Sequence, residues 1–254
     1  LESEGPEESA KPVDHSRVCM VKISLNMKEL VSALVGSFEK TFSDKLRGRS
    51  LDKQDLGFSI LHEFVLDYNR FIKEFEAAIL ALEDGRYSGV NNDHLLDGFM
   101  VLRIEKDCDI ANIARKYVEL YNKYFPRLKG PVFPIKLSIS CSHIKHPFLE
   151  HWDMLDNPIN AINIQSVRRA KLEINLDQFA GLEEFGRCPE EHVSKFLHDL
   201  AEIYDRTGSE LLVKFHLLDK QNNQRKVVKP FMQGKVNPCQ ILSYYKLFVQ
   251  DAKP

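Results

Sequence analysis

Between Phe58 and Leu82 apolar side chains return at alternating steps of three and four: Phe58, Leu61, Val65, Tyr68, Ile72, Phe75, Ile79 and Leu82. That spacing predicts one long amphipathic helix, ended by Asp84-Gly85, whose stripe is core and not a cofactor surface. Strand patterns flank it. Arg17 to Asn26 carries the block Val18-Cys19-Met20-Val21 and then alternating Ile23 and Leu25, which suits a strand buried in mid-sheet. Met27 to Leu46 reads as a helix with Leu30, Leu34, Phe38 and Phe42 on one side, broken by Gly48 and Ser50.

Beyond the long helix comes a hairpin. Tyr87 lies in its first arm, Val90-Asn91-Asn92-Asp93 in its turn and Phe99 to Ile104 in its return strand. Asn and Asp take left-handed conformations cheaply and suit such a connection. Asp107 or Asp109 caps a further helix with Ile110, Ile113, Tyr117, Leu120 and Tyr124 inward, stopped by Pro126. Ile135, Leu137, Ile139 and Cys141 then alternate with Lys136, Ser138 and Ser140, a half-buried strand.

This order predicts an α+β fold, a ferredoxin-like βαββαβ unit with an extra helix in the first crossover. Four strands would share one sheet with the helices on one face. Residues 1–16 read as a linker, 17–160 as the ferredoxin-like domain and 161–254 as a small, mainly helical subdomain. In the last, Leu172, Ile174 and Leu176 form a short strand and Pro189 opens a helix with Val193, Phe196, Leu197, Leu200 and Ile203. Leu211 to Leu218 is ambiguous, and Asn237-Pro238 caps a final helix carrying Ile241, Leu242, Tyr245 and Phe248.

Composition narrows the class. A net charge of -2 gives no global nucleic-acid signature, so any basic site must be local. The five cysteines are odd in number and lack CxxC pairs, which points to free thiols in a reducing, cytoplasmic setting. No apolar run approaches the roughly 20 residues that span a bilayer, so no membrane partner is expected. Leu1 to Asp14, with Glu2, Glu4, Glu7 and Glu8, is no signal peptide and reads as solvated chain. Because it opens on Leu1, the chain is expected to be part of a longer polypeptide.

No GxSxG, Walker A, HExxH or GxGxxG pattern occurs. Cys141, His143, His146 and His151 include zinc-ligand types, but they lack a second pair, and Cys141 is expected to turn inward while His143 turns outward. No metal site is expected there. His143, Lys145 and His146 are instead candidates to meet phosphate. So are Arg168, Arg169 and Lys171, and a second cluster of Lys214, Lys220, Arg225, Lys226 and Lys229 around the loop tip Gln221 to Gln224.

Three segments carry a family resemblance. Leu95-Leu96-Asp97-Gly98-Phe99-Met100-Val101-Leu102 looks like a decayed GGDEF or GGDD turn followed by its strand. The stretch from Leu137 to Phe148 resembles the strand and basic-Pro segment that close a cyclase-like palm. Ser166-Val167-Arg168-Arg169-Ala170-Lys171, then the Ser194-to-Tyr204 helix, is similar to the elements that follow such a palm. In this order, over roughly residues 17 to 205, they resemble the large subunit of type III CRISPR effector complexes, whose palms are relatives of GGDEF cyclases.

The resemblance implies an ATP-cyclising or oligomerising palm, which needs carboxylates on the first strand and hairpin turn to hold two hard cations. It also needs turn glycines that admit the phosphates. Here Lys22, Ser24 and Asn26 stand where acids are expected. Leu95 and Leu96 replace the two glycines, and of the turn only Asp97 and Gly98 remain. The expectation is a catalytically degenerate palm without cofactor, binding other subunits of an antiviral ribonucleoprotein and its guide RNA. One alternative is an active nucleotidyl cyclase or oligoadenylate synthase using Mg2+ and ATP, with Asp97 and Asp93 as its acids. Another is a protein-interaction domain with no nucleic-acid role.

Overall fold

The computed structural model describes residues 17–41, 57–82, 87–89, 97–104, 107–128, 132–143, 145–156, 158–186, 193–218 and 228–249. Residues 1–16, Asp93, Leu95, Leu96, the Pro189 helix start, Lys220, Arg225 and Lys226 lie outside them.

The apolar block of β1 (Arg17–Leu25) makes it a central strand, paired antiparallel with both β3 (Asp97–Ile104) and β4 (Ile135–His143). β2 (Tyr87–Gly89) borders β3, β5 (Ile162–Ser166) runs parallel to β4, and β6 (Ala170–Ile174) turns back beside β5. The order is β2-β3-β1-β4-β5-β6, an α+β fold on a mixed sheet. Two expectations change here. The sheet has six strands and not four, and β5 and β6, read as part of a separate unit from residue 161, extend the same sheet. Adding β5 beside β4 buries Ile162 and Ile164 in the common core.

Strand alternation sorts the side chains into two faces. On one face the rows Met100–Val21–Ile139–Ile164–Leu172 and Ile23–Leu137–Ile162–Ile174 are buried almost completely. Helices α1 (Met27–Thr41), α2 (Phe58–Leu82) and α3 (Asp107–Tyr124) contribute to that core. Tyr117 of α3 donates to the Ile135 carbonyl of β4 at 2.8 Å. The long helix forms as expected but turns differently. Phe64, Tyr68, Phe71, Phe75 and Ile79 are buried, whereas Phe58 and Val65 are exposed. The two stripes share Tyr68, Phe75 and Ile79; the observed one also buries the rings of Phe64 and Phe71 and so removes more apolar area from water.

After β6 come α5 (Leu176–Gly186), α6 (Val193–Thr207), α7 (Glu210–Leu218), α8 (Lys229–Met232) and α9 (Pro238–Phe248). The ambiguous stretch at Leu211 is thus helical. Asn237 and Gln240 form a reciprocal capping box at the start of α9, and the Gln240 amide donates to Glu173 O of β6 at 3.0 Å. The apolar cluster runs without a break from β1 to Phe248. No helix among the described residues is long and apolar enough to cross a membrane.

Candidate functional site

The second face of the sheet is polar. Register sets Asp97, Ser24 and Lys136 on one rung. Phe99, Lys22, Ser138, Asn163 and Glu173 form the next, and Val101, Met20, Ser140, Gln165 and Lys171 the third. Lys22, Lys136, Ser138, Ser140, Ser142 and Asn163 are buried nonetheless. Burial of polar groups on this scale costs stability unless each finds a partner.

The short helix α4 (Phe148–Asp156), which the sequence pattern does not reveal, supplies many of those partners. Asp156 accepts from Lys22 Nζ at 3.3 Å, and Lys22 lies 5.3 Å from the centre of the Trp152 ring. Phe99 meets Trp152 edge-on. His151 is 1% exposed, with Nδ1 2.7 Å from Ser140 Oγ and Nε2 2.6 Å from Ser142 Oγ. Ser142 already donates to His143 O at 3.0 Å, so it accepts from Nε2–H, and the Ser140 hydroxyl donates to Nδ1. One neutral tautomer satisfies both serines. Burial, and then the neighbouring His146, push the His151 pKa below its ordinary value, which favours that neutral form.

The positions read from the sequence as a nucleotide-site remnant lie at one end of this face. Ser24 stands beside Asp97 in register, and its Oγ is buried without a hydrogen-bond partner among the described residues. Asn26 accepts from the backbone of Lys28 and Glu29 and so caps α1. Gly98 falls on the opposite, apolar face, across from Ile23. Lys136 completes the Asp97 rung and is bound by Glu29 at 2.9 Å. Hard cations need several oxygen anions converging on one point. In register the rung of Asp97 continues with Ser24 and Lys136 and the next rung holds Lys22, and lysines at these positions do not fit a pair of hard cations.

The basic candidates gather at the other end, roughly 23 Å away along the seven residues from Ser24 to Arg17. β4 and β5 are parallel, so both finish there. Val167 N–H donates to Cys141 O at 2.9 Å, which seats the β5–β6 turn beside the end of β4. Arg168 and Arg169 thereby join His143 and Lys145, while Arg17 opens β1 across from His143. His143 Nδ1 accepts from the Lys145 backbone, His146 pairs with Glu150 at 2.6 Å, and Lys171 pairs with Glu173. Arg168 holds a left-handed conformation (φ 63°).

The weighed zinc set does not converge. Cys141 lies on the apolar face and His151 packs on the polar one. Cys141 and His143, two residues apart on a strand, share a face by alternation, contrary to expectation; His143 is exposed only because the strand ends there. Lys214 and Lys229, of the second basic cluster, lie on α7 and α8, away from this edge in the chain order. Sequence reasoning missed the roles of Trp152, Glu29 and Arg17. The signal available for Trp152 was that it is the single tryptophan of the chain. Comparison with protein-family models, curated proteins and solved structures finds no match.

Proposed function

We propose that this chain is a catalytically degenerate, cyclase-like palm that serves as a binding and scaffolding module, holding RNA and neighbouring subunits in a type III CRISPR-type ribonucleoprotein. The strand order β2-β3-β1-β4, antiparallel throughout, supports the ferredoxin-like reading. The lysines on the first two rungs support the loss of two-cation chemistry. The observation that carries the binding reading is the convergence of Arg168, Arg169, His143 and Lys145 on one sheet end through the Val167–Cys141 contact. A left-handed residue other than glycine costs about 1–2 kcal/mol, so an arginine at Arg168 is held there at a conformational expense that a glycine would avoid.

Phosphate contacts of this kind make affinity fall with salt. Arg168→Ala/Arg169→Ala should weaken binding of a single-stranded RNA uniformly across sequences. In a filter-binding titration it should make the negative slope of log K against log salt shallower by about 1.4, from two lost contacts to a single strand. Unchanged affinity and slope at low salt would remove these residues from the interface. Absence of any RNA retention would favour the protein-interaction reading.

A second reading, an active cyclase, draws on one observation. Asp97 and Ser24 share a rung, and the buried Ser24 hydroxyl has no partner there.

A further inference from the structure

Helix α4 is inside out. It buries His151 and Leu155 against the sheet, yet Phe148 is 52% exposed, Leu149 74% and Trp152 41%. Ile159, just beyond it, is 69% exposed. A helix held to its sheet by a histidine and a lysine–aspartate pair does not need three large apolar residues left this exposed. Phe148 and Trp152 lie one helical turn apart, with ring centroids 6.3 Å apart and planes 25° from parallel. Lys22 lies over the Trp152 ring and Phe99 meets it edge-on, contacts that orient the indole in the free protein. The helix starts at the basic end of the sheet, directly after Lys145 and His146, and runs toward the Asp97 end.

We infer that the exposed ring of Phe148, with the exposed part of Trp152 stacked beside it, forms a platform for the bases of a single-stranded RNA whose phosphates are held by Lys145, Arg168 and Arg169. This rests on the RNA-binding reading above and adds the part of the ligand that is recognised, unpaired bases. Aromatic rings beside a basic track are what single strands use, because every base offers a π-face. The carboxylates of α4 set the path of the backbone. Glu150 is paired with His146 and Asp156 with Lys22, which leaves exposed Asp153 to turn phosphates toward the basic end. A helix carrying three acids and no lysine or arginine disfavours a self-paired dimer through this face.

Trp152 is the only tryptophan, so its fluorescence reports this site alone. The full chain would be titrated with 20-residue oligouridylate and oligoadenylate at low salt, with emission and filter retention read in parallel. The expected result is quenching of Trp152 that saturates with the retention curve. Phe148→Leu, at an exposed ring, should weaken binding about fivefold or more, while Leu149→Ala should leave it unchanged. RNA retained with Trp152 unquenched would overturn the platform and leave the basic edge as the binding surface. So would an equal loss in Leu149→Ala. A blue shift of Trp152 emission with protein concentration, in the absence of RNA, would make the face a protein interface and also overturn it. No retention at all would fail the RNA-binding reading itself, and the platform with it.

Discussion

Replacing His151 with alanine is expected to destabilise the fold by about 2–4 kcal/mol, through a buried cavity, a buried Ser140 hydroxyl left unpaired and the loss of the bond that Ser142 accepts. Ser140 and Ser142 stand two residues apart on β4, and one imidazole satisfies both. Urea unfolding would measure the loss, and a change below about 0.5 kcal/mol would show that the bridge contributes nothing net.

The same residue sets a pH dependence whose direction follows from its lowered pKa. The unfolded imidazole takes up its proton near pH 6.5, while the buried one takes it up only at lower pH. Stability from this group is therefore whole above pH 6.5 and is lost as the pH falls from there toward the folded pKa. The gap between wild type and His151→Ala should narrow as the buffer moves from about pH 7.5 to about pH 5.5. A gap that widened would mean that the protonated ring is the form bound between the serines.

The second large effect lies on the opposite side of the sheet. Phe71→Ala should cost about 3–5 kcal/mol, a large part of the roughly 5–15 kcal/mol that holds a domain together. Phe71 is fully buried and meets Phe75, Tyr117, Tyr124 and Phe125, with its centroid 5.4 Å from that of Phe125. Phe58→Ala, on the same helix but exposed, should change stability by less than about 0.5 kcal/mol. Thermal melts of the pair separate the two faces of α2. A costlier Phe58 substitution would restore the stripe expected from spacing alone.

That contrast shows where the sequence was legible. The period of α2 was readable, but its rotation was not, since two overlapping stripes share Tyr68, Phe75 and Ile79 and packing of Phe71 against Tyr117 and Tyr124 of α3 decides between them. β1, β3, β4, α3 and the α9 cap were readable because alternation, helical spacing and capping residues are local. α4 was not. Its polarity is reversed, with His151 inside and Phe148 and Leu149 outside, so a search for an inward apolar stripe passes over it. β5 is only five residues long and carries Asn163 and Gln165 on its polar side, a weak signal until β4 pairs with it.

The candidate site divides in the same way. The residue types at Lys22, Ser24 and Asp97 were legible, and register now puts Ser24 and Asp97 on one rung. Asn26 was read as part of that remnant, whereas its side chain caps α1. The basic residues were seen as separate runs around His143 and Arg168. Only the parallel pairing of β4 and β5 brings them to one edge, and such long-range pairing leaves no trace in local spacing.

We propose that this sheet binds RNA without turning over nucleotide. The most direct measurement incubates the purified chain with ATP and magnesium or manganese and separates the nucleotides by chromatography. Unchanged ATP is the predicted result. A cyclic or oligomeric adenylate that disappears in Asp97→Ala would contradict it.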